Sequence, residues 1–279
     1  MVTTADARDG VTLRLYRWAS AGPAQAHVLL VHGIAEHAGR HRYVAARLAQ
    51  AGLETHAFDL RGFGGSGGPR AYVERWSQYH DDVEDQLAAV RAAAGDLPVV
   101  LYGHSMGGLI VLGYVLAEPP RPQPDLAVLS APAISASIAT WKRALAAVLG
   151  RVLPRFAIAN DLPAGSLSRD PAIDVAYRSD PLNMHSTTAR LGMELLREQR
   201  RVGDRLRRLD GLPVPTYVYH GADDRIVPVA FSALLEGKRN VTRRVYPGLR
   251  HETHNEPEGA AVIGDTAAWI TQALARRGP

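Results

Sequence analysis

Gly103-His104-Ser105-Met106-Gly107 follows an apolar run, Pro98 to Tyr102, and leads straight into a second one, Met106 to Ala117. A serine on a sharp turn between a strand and a helix is lifted clear of the sheet. The glycines flanking it are required because a β-carbon at either place would strike the adjoining strand or helix. Such a turn also puts the Met106 amide at a helix N-terminus, where an unpaired N–H and the positive end of the dipole can meet a developing oxyanion. The chemistry implied is acyl transfer through a serine nucleophile.

A serine hydroxyl attacks an ester only with a general base held in place by a third group. Where the nucleophile sits on an elbow of this type, the expected chain order is Ser, then an acid after a later strand, then His. The apolar run Pro215 to His220 enters Gly221-Ala222-Asp223-Asp224, and Thr242 to Tyr246 enters Pro247-Gly248-Leu249-Arg250-His251. Both loops leave at the carboxyl end of a strand, where catalytic groups of parallel sheets gather. The acid is therefore Asp223 or Asp224 and the base His251 or His254, with the other member of each pair expected to be a solvated loop residue. A second oxyanion donor is expected after an earlier strand. Val28-Leu-Leu-Val-His32-Gly33-Ile34 supplies it, with the Ile34 amide as candidate and Gly33 allowing close approach to substrate.

Three rival motifs fail. Gly62-Phe-Gly-Gly-Ser-Gly67 has dinucleotide-binding spacing, but Gly68-Pro69 follows where a helix should open. His251-Glu-Thr-His254 lacks the second histidine of a zinc-protease helix, since position 255 is Asn. His37 and His41 are read as a surface pair without a third ligand in nearby sequence. No metal and no cofactor is expected.

Positioning these groups requires strands, read at Val11–Trp18, His27–His32, Glu54–Leu60, Pro98–Gly103, Leu126–Ser130, Pro215–His220 and Thr242–Tyr246. Helical patterns fall at Tyr43–Ala51, Val73–Ala94, Met106–Ala117 and Gly259–Ala275. The alternation predicts an α/β fold, a mainly parallel sheet covered on both faces with an antiparallel start. It lapses over 134–206, which shows helical patterns and proline breaks but no strand, so this segment is read as an insertion between core halves 1–133 and 207–279. The insertion holds 11 Lys or Arg against 7 Asp or Glu, the whole of the chain's charge excess. Within it Trp141, Leu145, Val148, Leu149 and Val152 form one helical stripe, with Lys142, Arg143, Arg151 and Arg155 off it.

The 279 residues, 46% hydrophobic and 22% charged, suit a single large core and exclude a disordered chain. With no cysteine, disulfide scaffolds, thiolate metal sites and a cysteine nucleophile drop out. The formal charge of +4 rests almost wholly on arginine, Lys142 and Lys238 being the two lysines, which points to GC-rich coding rather than to nucleic acid. Arg200, Arg201, Arg205, Arg207 and Arg208, interrupted by Asp204 and Asp210, read as a solvated helix face. With neither a leader-like start nor an apolar run of membrane-spanning length, a cytoplasmic protein is expected.

The pattern resembles the bacterial monoacylglycerol lipases of the α/β-hydrolase superfamily. The matching segments are His32-Gly33 with Glu36-His37, Asp59-Leu-Arg61-Gly62-Phe-Gly64-Gly-Ser66, and Gly103-His-Ser105-Met-Gly107-Gly108. In the insertion they are Leu167-Ser-Arg169-Asp170-Pro171, Tyr177 and Asp180-Pro181-Leu182. Toward the carboxyl end they are His220-Gly-Ala-Asp-Asp224 and Tyr246-Pro-Gly-Leu-Arg-His251-Glu252, then Asn255-Glu256-Pro257. Phe63 stands where relatives commonly have His. The resemblance implies a fold of about eight strands, Ser105, Asp224 and His251 as the triad, and the amides of Ile34 and Met106 as oxyanion donors. It also makes the insertion a lid over an acyl channel. The implied function is hydrolysis of monoacylglycerols to fatty acid and glycerol. A broad carboxylesterase or lysophospholipase with the same triad is the alternative, and a non-catalytic ligand-binding protein the more distant one. The partner is then a small lipid ester, with Trp141, Leu145, Val148 and Leu149 as lid residues that meet micelles or membrane transiently.

Overall fold

The computed structural model describes residues 1–276 apart from 137, 138 and 161, and omits the side chain of Lys142. In chain order the first half runs β1 (Val2–Asp6), β2 (Thr12–Trp18), β3 (Ala26–Val31), α1 (Arg42–Gln50), β4 (Leu53–Phe58), α2 (Ser77–Ala94), β5 (Val99–His104), α3 (Met106–Val115) and β6 (Leu126–Ser130). The insertion contributes α4 (Thr140–Val152), β7 (Ala157–Ala159), α5 (Pro171–Ser179) and β8 (Ser186–Thr188). α6 (Ala189–Arg208) begins within it and runs just past its end, and β9 (Gly211–Gly221), β10 (Arg239–Tyr246) and α7 (Gly259–Ala275) follow.

Eight strands form one sheet in the order β1-β2-β4-β3-β5-β6-β9-β10. β1 pairs antiparallel with β2 and β2 antiparallel with β4, while every other pairing is parallel. Because successive side chains of a strand face opposite ways, each strand feeds two cores. Leu29 and Val31 of β3 join Tyr79, Val83 and Leu87 of α2 and the wholly buried α3 on one face. Val28 and Leu30 join Val44 and Leu48 of α1 and Val262, Ile263 and Ile270 of α7 on the other. The two-sided apolar strands are the signature of a covered parallel sheet, and they put the carboxyl ends of β3, β5, β6, β9 and β10 at one edge. Among the described residues no helix is long and apolar enough to cross a membrane.

Departures from the sequence reading have local causes. β1 is exposed at all five residues and carries no apolar periodicity. The insertion was expected to lack strands, yet β7 and β8 pair antiparallel; at three residues each they are too short to show alternation. α2 starts at Ser77 rather than Val73, because Val73 and Trp76 are buried from a turn and not from a helix face. α6 spans the junction at 206–207: it packs against α4 and sends Leu191, Val202 and Leu206 into the core under α3. Its arginines 200, 201, 207 and 208 are exposed, with Arg201 on Glu198 and Arg207 on Asp204, whereas Arg205 is half-buried against Glu118.

The dinucleotide-like loop after β4 opens no helix and is organised instead by Asp59. One carboxylate oxygen accepts the Ala38 amide at 2.8 Å and the other the Gly65 amide at 2.8 Å. Next to it Arg61 grips Asp82 of α2 with two donors, at 2.7 and 2.5 Å, and reaches Asp9 with the others. Asp82 is fully buried whereas Asp9 is 40% exposed. Removing one charge of a buried pair strands its partner, so Asp82→Asn is expected to cost about 3–5 kcal/mol in denaturant unfolding. Asp9→Asn, at a solvated site, is expected to cost under about 1 kcal/mol.

Candidate active site

Ser105 stands between β5 and α3 with φ +52° and ψ −116°, a strained conformation for a residue with a side chain. The close packing beneath it explains the glycines. A β-carbon on Gly103 would lie 2.4 Å from the Gly107 carbonyl oxygen, and one on Gly107 would lie 2.1 Å from that of Val31. On Gly33 it would meet a Glu36 carboxylate oxygen at 2.7 Å. With these three positions reduced to backbone, β3, the loop after it and α3 converge on the serine.

The loop after β3 is pinned from several sides. Gly33 N–H donates to Glu36 Oε1 at 2.6 Å, and the His32 ring bridges the Gly33 carbonyl and the Leu60 amide. Ala35 takes φ +64° and its carbonyl accepts from the Met184 amide and the Tyr177 hydroxyl, both in the insertion. Ile34 N–H and Met106 N–H have no protein acceptor among the described residues. They belong to the two segments that flank Ser105 and are the amides expected of an oxyanion hole.

Asp224 and His251 come together from the loops after β9 and β10. His251 Nδ1 lies 2.7 Å from Asp224 Oδ2 with both side chains buried. Asp224 Oδ1 accepts the amides of Ile226 and Val227 at 2.8 Å each, and Oδ2 also meets His220 Nε2 at 3.0 Å. Burial alone would raise the Asp224 carboxyl, but the charge of His251 and these hydrogen bonds hold it below the ordinary carboxylate range. Burial would likewise lower His251, and the Asp224 carboxylate overcomes it, lifting the imidazole above its usual 6.5. Of the two aspartates left open in sequence, Asp224 is the one that meets His251, whereas Asp223 is exposed and without this contact. His254 does not face Asp224, but neither is it the solvated residue expected. It is buried, its ring 4.9 Å from that of His104 and 5.2 Å from that of His41.

Ser105 and His251 line one small cavity together with Ile34, Leu162, Leu167, Tyr177 and Ile226. Among the described residues Ser105 Oγ makes no hydrogen bond to His251, so proximity rather than a formed bond relates them. The cavity measures about 40 Å³, room for a few waters and not for an acyl chain. The much larger groove, about 770 Å³, lies between α4, α6 and residues 229–235. Its end at Ile134 sits beside the elbow, since Ala133 N–H donates to the Ser105 carbonyl at 3.0 Å.

Several buried polar residues were not singled out from sequence for any role. Arg40 bridges two carboxylates, reaching Glu36 Oε2 at 2.8 Å and Glu252 Oε1 and Oε2 at 2.7 and 3.0 Å, with its guanidinium over the Tyr177 ring. Despite burial, His41 and Arg40 hold Glu36 well below the ordinary range. His41, expected at the surface with His37, is buried on Glu36, and His37 is buried on Asp180 at 2.9 Å. Desolvation, with His251 and His254 beside it, keeps His104 neutral, its ring 4.9 Å from that of His251. The conspicuous signal for this network was the run Glu36-His37 and the neighbour pair His251-Glu252. Trp141, Leu145, Val148 and Leu149, expected from sequence as lid residues, do not border the Ser105 cavity. They lie on α4, where Trp141 is 64% exposed and Val148 56%.

Residues 22–258 match the model of a hydrolase family described as serine aminopeptidase, S33. A monoacylglycerol lipase of Mycolicibacterium smegmatis is 39% identical over 95% of each chain, and the human monoglyceride lipase 33% identical over 97% of this chain and 90% of its own. A crystal structure of a Paleococcus ferrophilus monoacylglycerol lipase superposes with a TM-score of 0.79 at 29% identity, covering 93% of this chain and 99% of that one. The chain is a member of the monoacylglycerol lipase family of α/β-hydrolase-fold serine hydrolases.

Proposed function

We propose that this protein hydrolyses monoacylglycerols through an acyl-enzyme on Ser105. The observation that carries the proposal is that His251, held by the buried Asp224, lines the same cavity as Ser105, and that the segments flanking Ser105 carry two amides without acceptors among the described residues. With Nδ1 engaged by Asp224, His251 has Nε2 free to take the Ser105 proton, a bond that commonly closes only once substrate is bound. Oγ attacks the ester carbon, and the carbonyl oxygen, now negative, accepts from Ile34 N–H and Met106 N–H. Collapse breaks the bond to the glycerol oxygen, which leaves with the proton from His251. Water, deprotonated by the same imidazole, then attacks the acyl carbon and releases the fatty acid.

Residues 134–206 serve in this reading as a cap, and the groove beneath α4, with Ala144, Met193, Phe231 and Leu234 on its walls, receives the acyl tail. The stripe on α4 faces solvent rather than the core: Trp141, Leu145, Val148 and Val152 are all exposed. Arg151 and Arg155 flank it. An apolar strip edged with cations suits brief docking on an interface that presents a single-tailed lipid.

Ser105→Ala should lower kcat on a monoacylglycerol on the order of a million-fold, and a fluorophosphonate should label Ser105 and nothing in the variant, as read by mass spectrometry. Comparison of monoacylglycerols, nitrophenyl esters and a lysophospholipid then tests the substrate class, monoacylglycerols giving the highest kcat/KM.

Asp224→Asn should cost about ten-thousand-fold in kcat, and Asp223→Asn less than about twofold. The base works only as neutral imidazole, so wild-type kcat/KM should climb with pH through a midpoint above 6.5, the raised value of His251. In Asp224→Asn the charge that raises it is gone, and the midpoint measured on the residual activity should move to lower pH.

Trp141→Gln with Leu145→Gln should reduce rates on micellar substrate at least about tenfold while soluble short-chain esters react as before. Equal losses on both would assign the stripe to packing.

A further inference from the structure

At the opposite edge of the sheet, His27, Glu54 and His56 meet on the face that packs against α2. Glu54 and His56 are two apart on β4 and so point the same way, and His27 of β3 stands in register with Glu54 in the parallel ladder. His27 Nδ1 is 3.0 Å from His56 Nε2 and 3.8 Å from Glu54 Oε1, and His56 Nε2 is 3.3 Å from Glu54 Oε1. Four donors at zinc bond lengths form a tetrahedron with edges of about 3.4 Å, which this triangle matches on average. His27 and Glu54 are buried and His56 nearly so, yet the cluster is not sealed. Arg17 of β2, its side chain 54% exposed, closes it by donating from Nε to Glu54 Oε1 at 2.7 Å.

We propose that His27, Glu54 and His56 form a site for one divalent cation of the zinc class, held by two imidazole nitrogens and a carboxylate. Arg17 is the gate: to bind, the cation must displace the guanidinium from Glu54, and Arg17 has solvent on one side into which to swing. Water takes the fourth position from that side. Burial favours the uncharged form of both rings, the form in which a ring nitrogen can ligate. The residues lie six positions before Gly33 along β3, roughly 20 Å from the oxyanion loop, so the cation clamps β3 to β4 and takes no part in acyl transfer.

The full-length protein, stripped with chelator and dialysed, is titrated with zinc chloride by calorimetry and with cobalt chloride by visible absorption. The expected result is one equivalent bound, with the intense visible bands of tetrahedral cobalt and a rise in Tm on zinc addition. His56→Gln should retain ester hydrolysis and weaken binding at least about 100-fold. Arg17→Ala should tighten it several-fold, since the competitor for Glu54 is gone; a variant that merely damages the fold would weaken it. Failure to bind one equivalent, unchanged affinity in His56→Gln, or weaker binding in Arg17→Ala overturns the proposal. None of these results bears on Ser105, whose labelling is read separately.

Discussion

Around Ser105 three stretches of backbone approach so closely that a single methyl group at Gly103 or Gly107 would overlap a carbonyl oxygen. That proximity sets the position of nearly everything else. It brings the end of β3, and with it the Ile34 amide, against the start of α3, and it forces the serine into a backbone conformation that only a well-packed surrounding can hold. The support comes from α3, buried along its whole length between the sheet, α2 and α6. An apolar helix without a polar face is costly to expose, so the elbow is anchored through α3.

Electrostatics in the site are arranged by pairing. Carboxylates stay ionised although buried, because each has a cation or several donors: Asp224 has His220, His251 and two amides, while Glu36 and Glu252 share Arg40. His104, packed on His251, and His254, packed on His104, lack such partners, and burial favours their neutral form. One ring is thus raised by a carboxylate while its neighbours contribute polar bulk without charge. Separation of this kind lets a single histidine carry the proton traffic.

The serine elbow, the two loops that bring Asp224 and His251 together and the parallel sheet were legible because each depends on short-range chemistry: glycines beside a serine, apolar runs that stop at loops, a helix after the turn. The distinction between Asp223 and Asp224 was not, since a one-residue shift in a loop decides which side chain turns inward, and no periodicity reports it. Family resemblance resolved it in favour of Asp224, the residue on which His251 is found. Burial of His41 and His254 was missed for a different reason. Histidine is polar enough to be read as surface, and the carboxylate and rings that accommodate these two come from segments far away in sequence. β1 was invisible because an edge strand with both faces exposed has no apolar alternation to display. The triangle of His27, Glu54 and His56 is a product of strand register, a relation between β3 and β4 that no single window contains.

The carbonyl of Ala35 accepts two donors from the insertion, the Met184 amide and the Tyr177 hydroxyl. Its neighbour is Ile34, whose amide is one of the two proposed for the oxyanion hole. On the other side, the Leu167 carbonyl accepts from the Glu252 amide, next to His251. The insertion therefore has its hands on both halves of the machinery. If the insertion acts as the proposed cap, moving it aside would loosen the loops that carry Ile34 and His251, so access and rigidity would oppose one another. A protein built in this way would alternate between a receptive state and a reactive one.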